Sequence, residues 1–141
     1  MRALLDTDVV LDVVLARAPF AKIAAELLDL NEQGLFEAYI SGITPINIFY
    51  IARKARTSGD LKQAIRELLL SVRVCPIDHS ILATALATPF SDYEDAVQHA
   101  SAVASQLDAI VTRNLDDYKN ATLPVFSPTD FLNKLKSESP E

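Results

Sequence analysis

Carboxylates and amides follow two short apolar segments of the sequence, in positions where they could bind a cation or activate water. One group begins at Asp6, after the apolar run 3–5, and the other spans 114–117, after the apolar run 109–112. If both runs are strands of one parallel sheet, both groups lie at its ligand-binding edge, beyond the carboxyl ends of the strands. The sequence therefore predicts a polar site there, assembled from distant parts of the chain.

Asp6 and Asp95 are the acidic residues that local structure explains least. A carboxylate directly after a buried strand is costly unless it is paired or bound to a metal. Asp95 begins the apolar face of a helix predicted over 91–106, and an acid at such a border needs a partner. We therefore expect both residues to be functional.

Four other polar residues have simpler structural explanations. Ser91 and Glu94 form the pattern of a capping box, in which two side chains bond to backbone amides at a helix start. Asp8 fits the cap of the following helix. His99 is expected to be exposed. These residues are therefore left out of the predicted site.

The donor types indicate the chemistry. Carboxylates without histidine or cysteine neighbours suit Mg²⁺ or Mn²⁺ rather than zinc. Each anion raises the pKa of the others, and a divalent cation relieves that repulsion. Such an ion lowers the pKa of a bound water and stabilises charge on a phosphodiester. The sequence therefore predicts metal-dependent hydrolysis of a phosphate ester.

The elements that must position these residues alternate along the chain. Strands are predicted over 3–5, 37–41, 72–75, 109–112 and 124–126. Helices predicted between them imply a parallel sheet covered on both faces. One of these helices is expected to be capped by Thr44, with Pro45 at its first position and its end near Ala55. Three glycines form no phosphate-binding loop.

Length and composition suit one domain. Half of the 141 residues are apolar, which is enough for a single core. We predict one domain over 1–136 and a disordered tail over 137–141. The lone Cys75 rules out an internal disulfide framework, and the apolar run before Asp6 is too short for a secretory or membrane segment. A cytoplasmic protein with no membrane contact is expected.

The charge distribution is uneven. The net charge of −6 argues against tight non-specific binding of nucleic acid. Five basic residues nevertheless fall within 53–66, beginning with Arg53, Lys54 and Arg56. This run is either an RNA-binding stripe or a solvated helix face, and the sequence leaves both interpretations open.

Four segments, in order, resemble the motifs of the PIN-domain family. They are LLDTDVVLD at 4–12, ISGITPINIFY at 40–50, DYEDA at 92–96 and VTRNLDDY at 111–118. The resemblance extends from residue 1 to about residue 132. It implies a three-layer α/β/α fold with a mostly parallel sheet of about five strands, and Mg²⁺- or Mn²⁺-dependent cleavage of RNA. Many bacterial members are VapC-type toxins, which are often homodimers silenced by a small antitoxin.

The resemblance also implies site residues. The family's first acid falls on Asp6 and its third on Asp95. The fourth falls within 114–117, on Asn114, Asp116 or Asp117. We expect Asp6, Asp95 and Asp117 to bind the metal. Thr112 is expected to position a water or a phosphate.

The second motif departs from the family pattern. It usually supplies a glutamate early in its helix, and this sequence has Asn47 there, as in one subgroup of the family. An amide oxygen still coordinates or orients a metal-bound water, but it attracts the cation less. A catalytic set of Asp6, Asp95, Asp117, Asn114, Asn47 and Thr112 is therefore predicted, with one charge fewer than the family pattern.

Two alternative functions remain. A PIN fold weakened by Asn47 would bind RNA or a protein without cutting. The run that starts at Asp6 also fits the nucleophile motif of haloacid-dehalogenase-like phosphatases. That alternative is disfavoured because the chain is short and no lysine is well placed.

Overall fold

A computed structural model describes residues 1–138. Within them, five strands form one sheet, and seven α-helices and one short 3-10 helix connect the strands. The strands are β1 (Arg2–Leu5), β2 (Glu37–Ser41), β3 (Arg73–Cys75), β4 (Ala109–Val111) and β5 (Val125–Phe126). The helices are α1 (Thr7–Val14), α2 (Phe20–Glu32), α3 (Thr44–Ala52), α4 (Ser58–Ser71), α5 (His79–Leu86), α6 (Tyr93–Ala104) and α7 (Pro128–Glu138), and the 3-10 helix is Leu115–Tyr118.

The sheet is parallel throughout, in the order β3-β2-β1-β4-β5. The predicted three-layer α/β/α fold is therefore confirmed. From β1 the chain builds outward through β2 and β3, and then returns to place β4 on the other side of β1. Such a reversal of strand order opens a crevice at the carboxyl ends of the two central strands. Here those strands are β1 and β4.

The two faces of the sheet are covered unequally. Along β1, Ala3 and Leu5 enter a large core beneath the α1, α2, α3, α4 and α7 side, whereas Leu4 points to the opposite face. There Leu4 packs with Ile110 of β4 and Ala102 of α6. Successive strand residues alternate between faces, and both faces are buried here, so Ala3, Leu4 and Leu5 are all apolar. Asp6 is the first polar residue after them.

Helix α6 contains an uninterrupted run of buried residues. Residues 96–102 are all buried, although Gln98, His99 and Ser101 are among them. Alanines at 96, 100 and 102 allow close packing, and α5 covers the outer side of α6. Polar side chains buried in this way require hydrogen-bond partners. One of them, Gln98, contacts Asp6 at the carboxyl end of β1.

Two predicted helix starts are wrong by one residue. Helix α6 is capped by Asp92, whose Oδ1 accepts from the amide of Asp95 at 3.0 Å, and not by Ser91. Thr44 is the first residue of α3 rather than its cap, because its hydroxyl is hydrogen-bonded to Thr7 at 2.9 Å. In both places a neighbouring residue or a tertiary partner displaces the pattern expected from the local sequence.

At the carboxyl end, α7 continues to Glu138 and packs on the core through Phe131, Leu132 and Leu135. It therefore extends two residues into the segment predicted to be a disordered tail. The rest of that segment, 139–141, lies outside the described residues. No helix within 1–138 is long and apolar enough to cross a membrane.

Candidate active site

Asp6 lies at the centre of the crevice between β1 and β4. Its backbone amide donates to the carbonyl of Val111 at 2.9 Å, which extends the β1–β4 ladder by one residue. Its side chain is buried, with 2% exposure. Gln98 Nε2 donates to Oδ1 at 2.9 Å, and Thr112 Oγ1 donates to Oδ2 at 2.7 Å. Each carboxylate oxygen is thus held in place by a neutral donor.

Neutral donors fix the orientation of Asp6 but do not cancel its charge. Burial raises the pKa of Asp6 to about 6, against the lowering effect of the hydrogen bond from Thr112, and the nearby charge of Asp8 raises it further. A buried carboxylate without a counter-charge favours protonation. A cation placed at this carboxylate would remove that penalty.

Asp95 adds a second perturbed carboxylate from the first turn of α6. Burial, followed by the charge of Asp6, raises the pKa of Asp95 to about 7, and Asp92 and Asp117 add to the effect. The hydroxyl of Tyr118 lies 3.5 Å from Asp95 Oδ1, at the limit of a hydrogen bond. The predicted pair Asp6 and Asp95 is therefore brought to one site, close enough for the two charges to repel.

Gln98 was missed by the sequence analysis. It is fully buried, and besides holding Asp6 it accepts from the amide of Thr7 at 3.1 Å and from the Thr7 hydroxyl at 3.3 Å. It therefore ties the end of β1 to α6. The available signal was an amide flanked by the buried apolar residues of α6, a position where a polar group must have a specific partner.

Thr112 and Asn114 follow β4 and act on the acids of α1. The hydroxyl of Thr112 donates to Asp6 and accepts from the amide of Asn114 at 3.0 Å. The side chain of Asn114 donates to Asp8 Oδ2 at 2.8 Å. The Thr112 proton is thus committed to Asp6. In this structure Thr112 orients the Asp6 carboxylate, and its expected role in positioning a water or a phosphate stays a prediction.

Two acids assigned to helix caps face the site instead. Asp8 lies inside the first turn of α1, and the N-cap of that helix is Asp6, which makes no side-chain cap bond. The carboxylate of Asp8 instead accepts a hydrogen bond from the side chain of Asn114. Glu94 is not part of a capping box because Asp92 alone caps α6. Burial raises the pKa of Glu94, and the charges of Asp92, Asp6 and Asp8 add to that effect. Both predictions of a cap were wrong.

Two other predicted residues, Asp117 and Asn47, make no hydrogen bond to Asp6 or Asp95 within residues 1–138. Asp117 is exposed on the 3-10 helix, although its charge still acts on Asp95. Asn47 is half-buried near the start of α3, three residues after Thr44. The hydroxyl of Thr44 is hydrogen-bonded to that of Thr7, which fixes the start of this helix.

The predicted RNA-binding residues are not part of this cluster. Arg53, Lys54 and Arg56 are all exposed beyond the end of α3. A helix rises about 1.5 Å per residue, so Arg53, at the C-cap of α3, lies roughly 13 Å along the helix axis from Thr44. Arg53 stacks on Tyr50, with its guanidinium 3.7 Å from the ring centre.

His99 is buried rather than exposed. Its Nε2 accepts from the amide of Thr122 at 3.0 Å, and its ring lies 4.9 Å from that of Phe90. Burial lowers the pKa of His99, which agrees with an uncharged ring that accepts from a backbone amide. The residue fastens α6 to the segment before β5 and is not a ligand of the acidic site.

The donor set fits a hard, hydrated cation. Carboxylate and amide oxygens are the ligands of Mg²⁺ and Mn²⁺, and Asp6 and Asp95 both have raised pKa values. Within residues 1–138, however, no three His, Cys, Asp or Glu side chains converge closely enough to hold an ion among them. Mg²⁺ commonly binds through one or two carboxylates and keeps several waters. A cation bound in that way is compatible with this arrangement.

Fold, strand-end residues and acidic crevice together define a family. The chain belongs to the PIN-domain family, whose profile matches residues 2–116. No curated protein matches the sequence at a significant level.

Solved structures with this fold include toxin–antitoxin complexes. VapBC2 from Rickettsia felis, bound to a DNA fragment from its promoter, superposes with a TM-score of 0.70 at 14% identity, covering 89% of this chain and 97% of that one. VapBC-1 from nontypeable Haemophilus influenzae gives 0.67 at 20% identity, covering 92% and 99%. A toxin–antitoxin complex from Klebsiella pneumoniae gives 0.65 at 25% identity, covering 89% and 97%.

Proposed function

We propose that this protein is a metal-dependent endoribonuclease that acts as the toxin of a toxin–antitoxin pair in the cytoplasm. One observation carries the catalytic part. Within residues 1–138, Asp6 is a buried carboxylate that Gln98 and Thr112 hold at the sheet's switch point without any cationic partner. A charge kept in that position is costly to stability, and binding a cation is a direct reason to retain it.

The residues divide the catalytic work between them. Asp6 and Asp95 would bind Mg²⁺ or Mn²⁺ directly, and Asp117 would face the ion from its exposed position. Gln98 and Thr112 hold Asp6, and Asn114 holds Asp8, so two of the acids are oriented before an ion binds. The bound cation supplies a more acidic water and stabilises charge on the phosphodiester. Asn47 belongs to the same site in this proposal, and its amide would orient a water.

The decisive assay is cleavage of a structured RNA with Mn²⁺ or Mg²⁺. We expect the wild-type protein to cut, EDTA to stop cleavage, and Asp6→Asn and Asp95→Asn to lose activity. Equal cleavage by all three proteins would assign the activity to another site or to a contaminant. Asn47→Glu adds a charge at the second motif, and tighter Mn²⁺ binding is expected if that side chain faces the ion.

The toxin role rests on the relatives, and a groove on this chain suits a protein partner. The groove lies between α1, α2 and α4, with an apolar floor that includes Val10, Val14 and Leu28. Its rim carries the acids Asp29, Glu32 and Glu67. An apolar floor with an acidic rim fits an amphipathic helix bearing lysine or arginine. We assign this groove to the antitoxin.

Co-expression tests the toxin role. Expression of this chain should arrest growth, and the product of a neighbouring open reading frame should restore it. Leu28→Lys should prevent that rescue without reducing RNA cleavage, whereas Leu70→Lys, on the exposed end of α4, should leave rescue intact. If Leu28→Lys is rescued as well as wild type, the antitoxin binds elsewhere.

A homodimer is part of the same proposal. Ile46, Tyr50 and Ile51 of α3 are exposed by 72%, 65% and 48%, which is unusual for an apolar helix on a free surface. We expect a dimer by light scattering and a monomer when Ile46 and Ile51 are both changed to lysine. A monomeric wild type would rule the dimer out.

RNA contact by the basic stripe is tested through salt. If Arg53 and Lys54 touch phosphates, changing both to glutamine should flatten the salt dependence of RNA binding. An unchanged slope would assign the stripe to solvent, the interpretation that its complete exposure also allows.

The sparse donor set supports a second candidate function, a PIN fold that binds RNA without cutting it. Asn47 lacks the usual charge, and within 1–138 no three potential ligands converge on one point. This alternative predicts RNA binding that is unaffected by EDTA and by Asp6→Asn. The cleavage assay above separates the two candidates.

A further inference from the structure

A second buried carboxylate, Asp12, lies on α1 behind the acidic site. It is 1% exposed and pairs with two guanidinium groups. Arg113 makes a two-pronged contact, from Nε to Oδ2 at 2.8 Å and from Nη2 to Oδ1 at 3.1 Å. Arg17 Nε lies 2.9 Å from Oδ1 as an ion pair without hydrogen-bond alignment. The two arginines therefore contact Asp12 in different ways.

Arg113 occupies a particular place in the chain. It lies between Thr112, which holds Asp6, and Asn114, which holds Asp8. Its guanidinium also stacks on Phe20, 3.9 Å from the ring centre. A forked, stacked arginine is geometrically demanding, so this contact fixes the backbone on both sides of Arg113. Arg17, in contrast, lies beyond the end of α1 and donates from Nη2 to the backbone carbonyl of Asp8 at 3.3 Å, so its contacts are with α1 and not with the segment after β4.

We propose that Asp12 and Arg113 form a positioning pair, which locks the segment after β4 onto α1 and thereby sets Thr112 and Asn114 against the acids of the site. In this role the pair acts through Thr112 and Asn114 and not by contacting substrate or ion. The consequence for metal binding rests on the proposed function, whereas the consequence for the order of the 112–114 segment does not.

The test compares Arg113→Ala with Arg17→Ala in the full-length protein. Both variants remove one guanidinium from Asp12, but only the first releases the segment after β4. In the metal-free protein, we expect Arg113→Ala to speed hydrogen exchange at the Asn114 amide roughly tenfold, since that amide donates to Thr112. Arg17→Ala should leave this exchange rate within about twofold of wild type.

Metal binding gives the second measurement. Loss of an outer-shell positioning contact typically weakens metal affinity about 10- to 100-fold, so Arg113→Ala should weaken Mn²⁺ binding to that extent by calorimetry, and Arg17→Ala should not. Arg113→Lys keeps the charge without the fork and should fall between them. It also serves if Arg113→Ala does not fold.

The outcomes separate this proposal from the proposed function. Wild type that binds no Mn²⁺ contradicts the metal site, but a selective change in Asn114 exchange still supports the positioning pair. Equal effects of Arg113→Ala and Arg17→Ala, or none from either, overturn the pair. Weaker RNA binding by Arg113→Ala, with unchanged exchange and unchanged Mn²⁺ affinity, would instead make Arg113 a substrate contact and also overturn it.

Discussion

Asp6 and Asp12 are carboxylates of one short segment, equally buried, with opposite surroundings. Asp6 receives hydrogen bonds from the neutral groups Gln98 and Thr112, whereas Asp12 receives two guanidiniums. Burying a carboxylate is unfavourable in both places, and the protein neutralises only one of the two charges. The difference distinguishes a carboxylate that stabilises the fold from one left available to an added cation.

The largest effect is expected on catalysis, when the charge of Asp6 is removed. Asp6→Asn keeps the shape of the side chain and removes the charge, so RNA cleavage should fall about a thousandfold, in line with the loss of a main electrostatic contact in an active site. The metal-free variant should lose little stability at pH 8, because removal of the uncompensated charge offsets the loss of one acceptor: the Asn amide accepts from Gln98 or from Thr112 but not from both. RNA cleavage and thermal unfolding measure the two effects.

Asp78→Asn is a matched control for that substitution. Asp78 caps α5 through the amide of Ile81, and asparagine caps a helix about as well as aspartate. Activity and stability should both remain near wild type. If Asp6→Asn destabilised the metal-free protein strongly, Asp6 would be a structural charge like Asp12, and the contrast would fail.

Asp12→Ala should have the opposite profile, with stability as the main loss. Removing one partner of a buried ion pair typically costs about 3 to 5 kcal/mol, and we expect about 3 kcal/mol because both arginines retain some contact with water. Urea unfolding measures the free energy. Asp12→Asn, which keeps the acceptor oxygen, should lose less. A loss below about 1 kcal/mol would mean that the pair is no stronger than a surface ion pair.

The pH dependence of stability tests the other side of the comparison. Burial raises the pKa of Asp6 to about 6 and of Asp95 to about 7. Between pH 4 and 7 the folded protein therefore holds protons that the unfolded chain has released, and metal-free stability should fall as pH rises. Asp6 alone accounts for at most about 3 kcal/mol.

Asp6→Asn should reduce this slope, and Mn²⁺ should raise stability most at the upper end of the range. Denaturant unfolding at several pH values, with EDTA or Mn²⁺, measures both effects. Stability that increases from pH 4 to 7 in EDTA, or a slope unchanged in Asp6→Asn, would contradict an uncompensated charge at Asp6.

The sequence predicts the fold and the central acid because both depend on simple rules. Alternating strands and helices imply the parallel sheet, and polar residues after two strands imply its ligand-binding edge, whereas the strand order that creates the switch point is known only from the structure. Asp6 stands out because it directly follows a strand that is apolar on both faces. Each inference needs only neighbouring residues and one general property of parallel sheets.

The remainder of the site depends on contacts between distant residues. Gln98 meets Asp6 across 92 positions, and Arg113 meets Asp12 across 101. Asp8 and Glu94 both fit the local sequence pattern of a helix cap. In the structure, however, Asp8 accepts a hydrogen bond from Asn114, and Asp92 caps α6 in place of the predicted capping box. A single sequence holds no signal for such pairings, so local chemistry gave the wrong role where a tertiary partner was available.

The smallest expected effect separates a cap from a site acid at the start of α6. Asp92→Ala removes the bond to the Asp95 amide and should cost about 1 kcal/mol of stability, as for other helix caps. Glu94→Gln should cost little or nothing, because the charge of this half-buried acid is repelled by Asp6 and Asp8. If Glu94 belongs with the uncompensated charges around Asp6, the same variant should weaken Mn²⁺ binding. If Glu94 instead caps the helix, Glu94→Gln should lose stability without any change in Mn²⁺ affinity. That result would make Glu94 a structural acid, like Asp12.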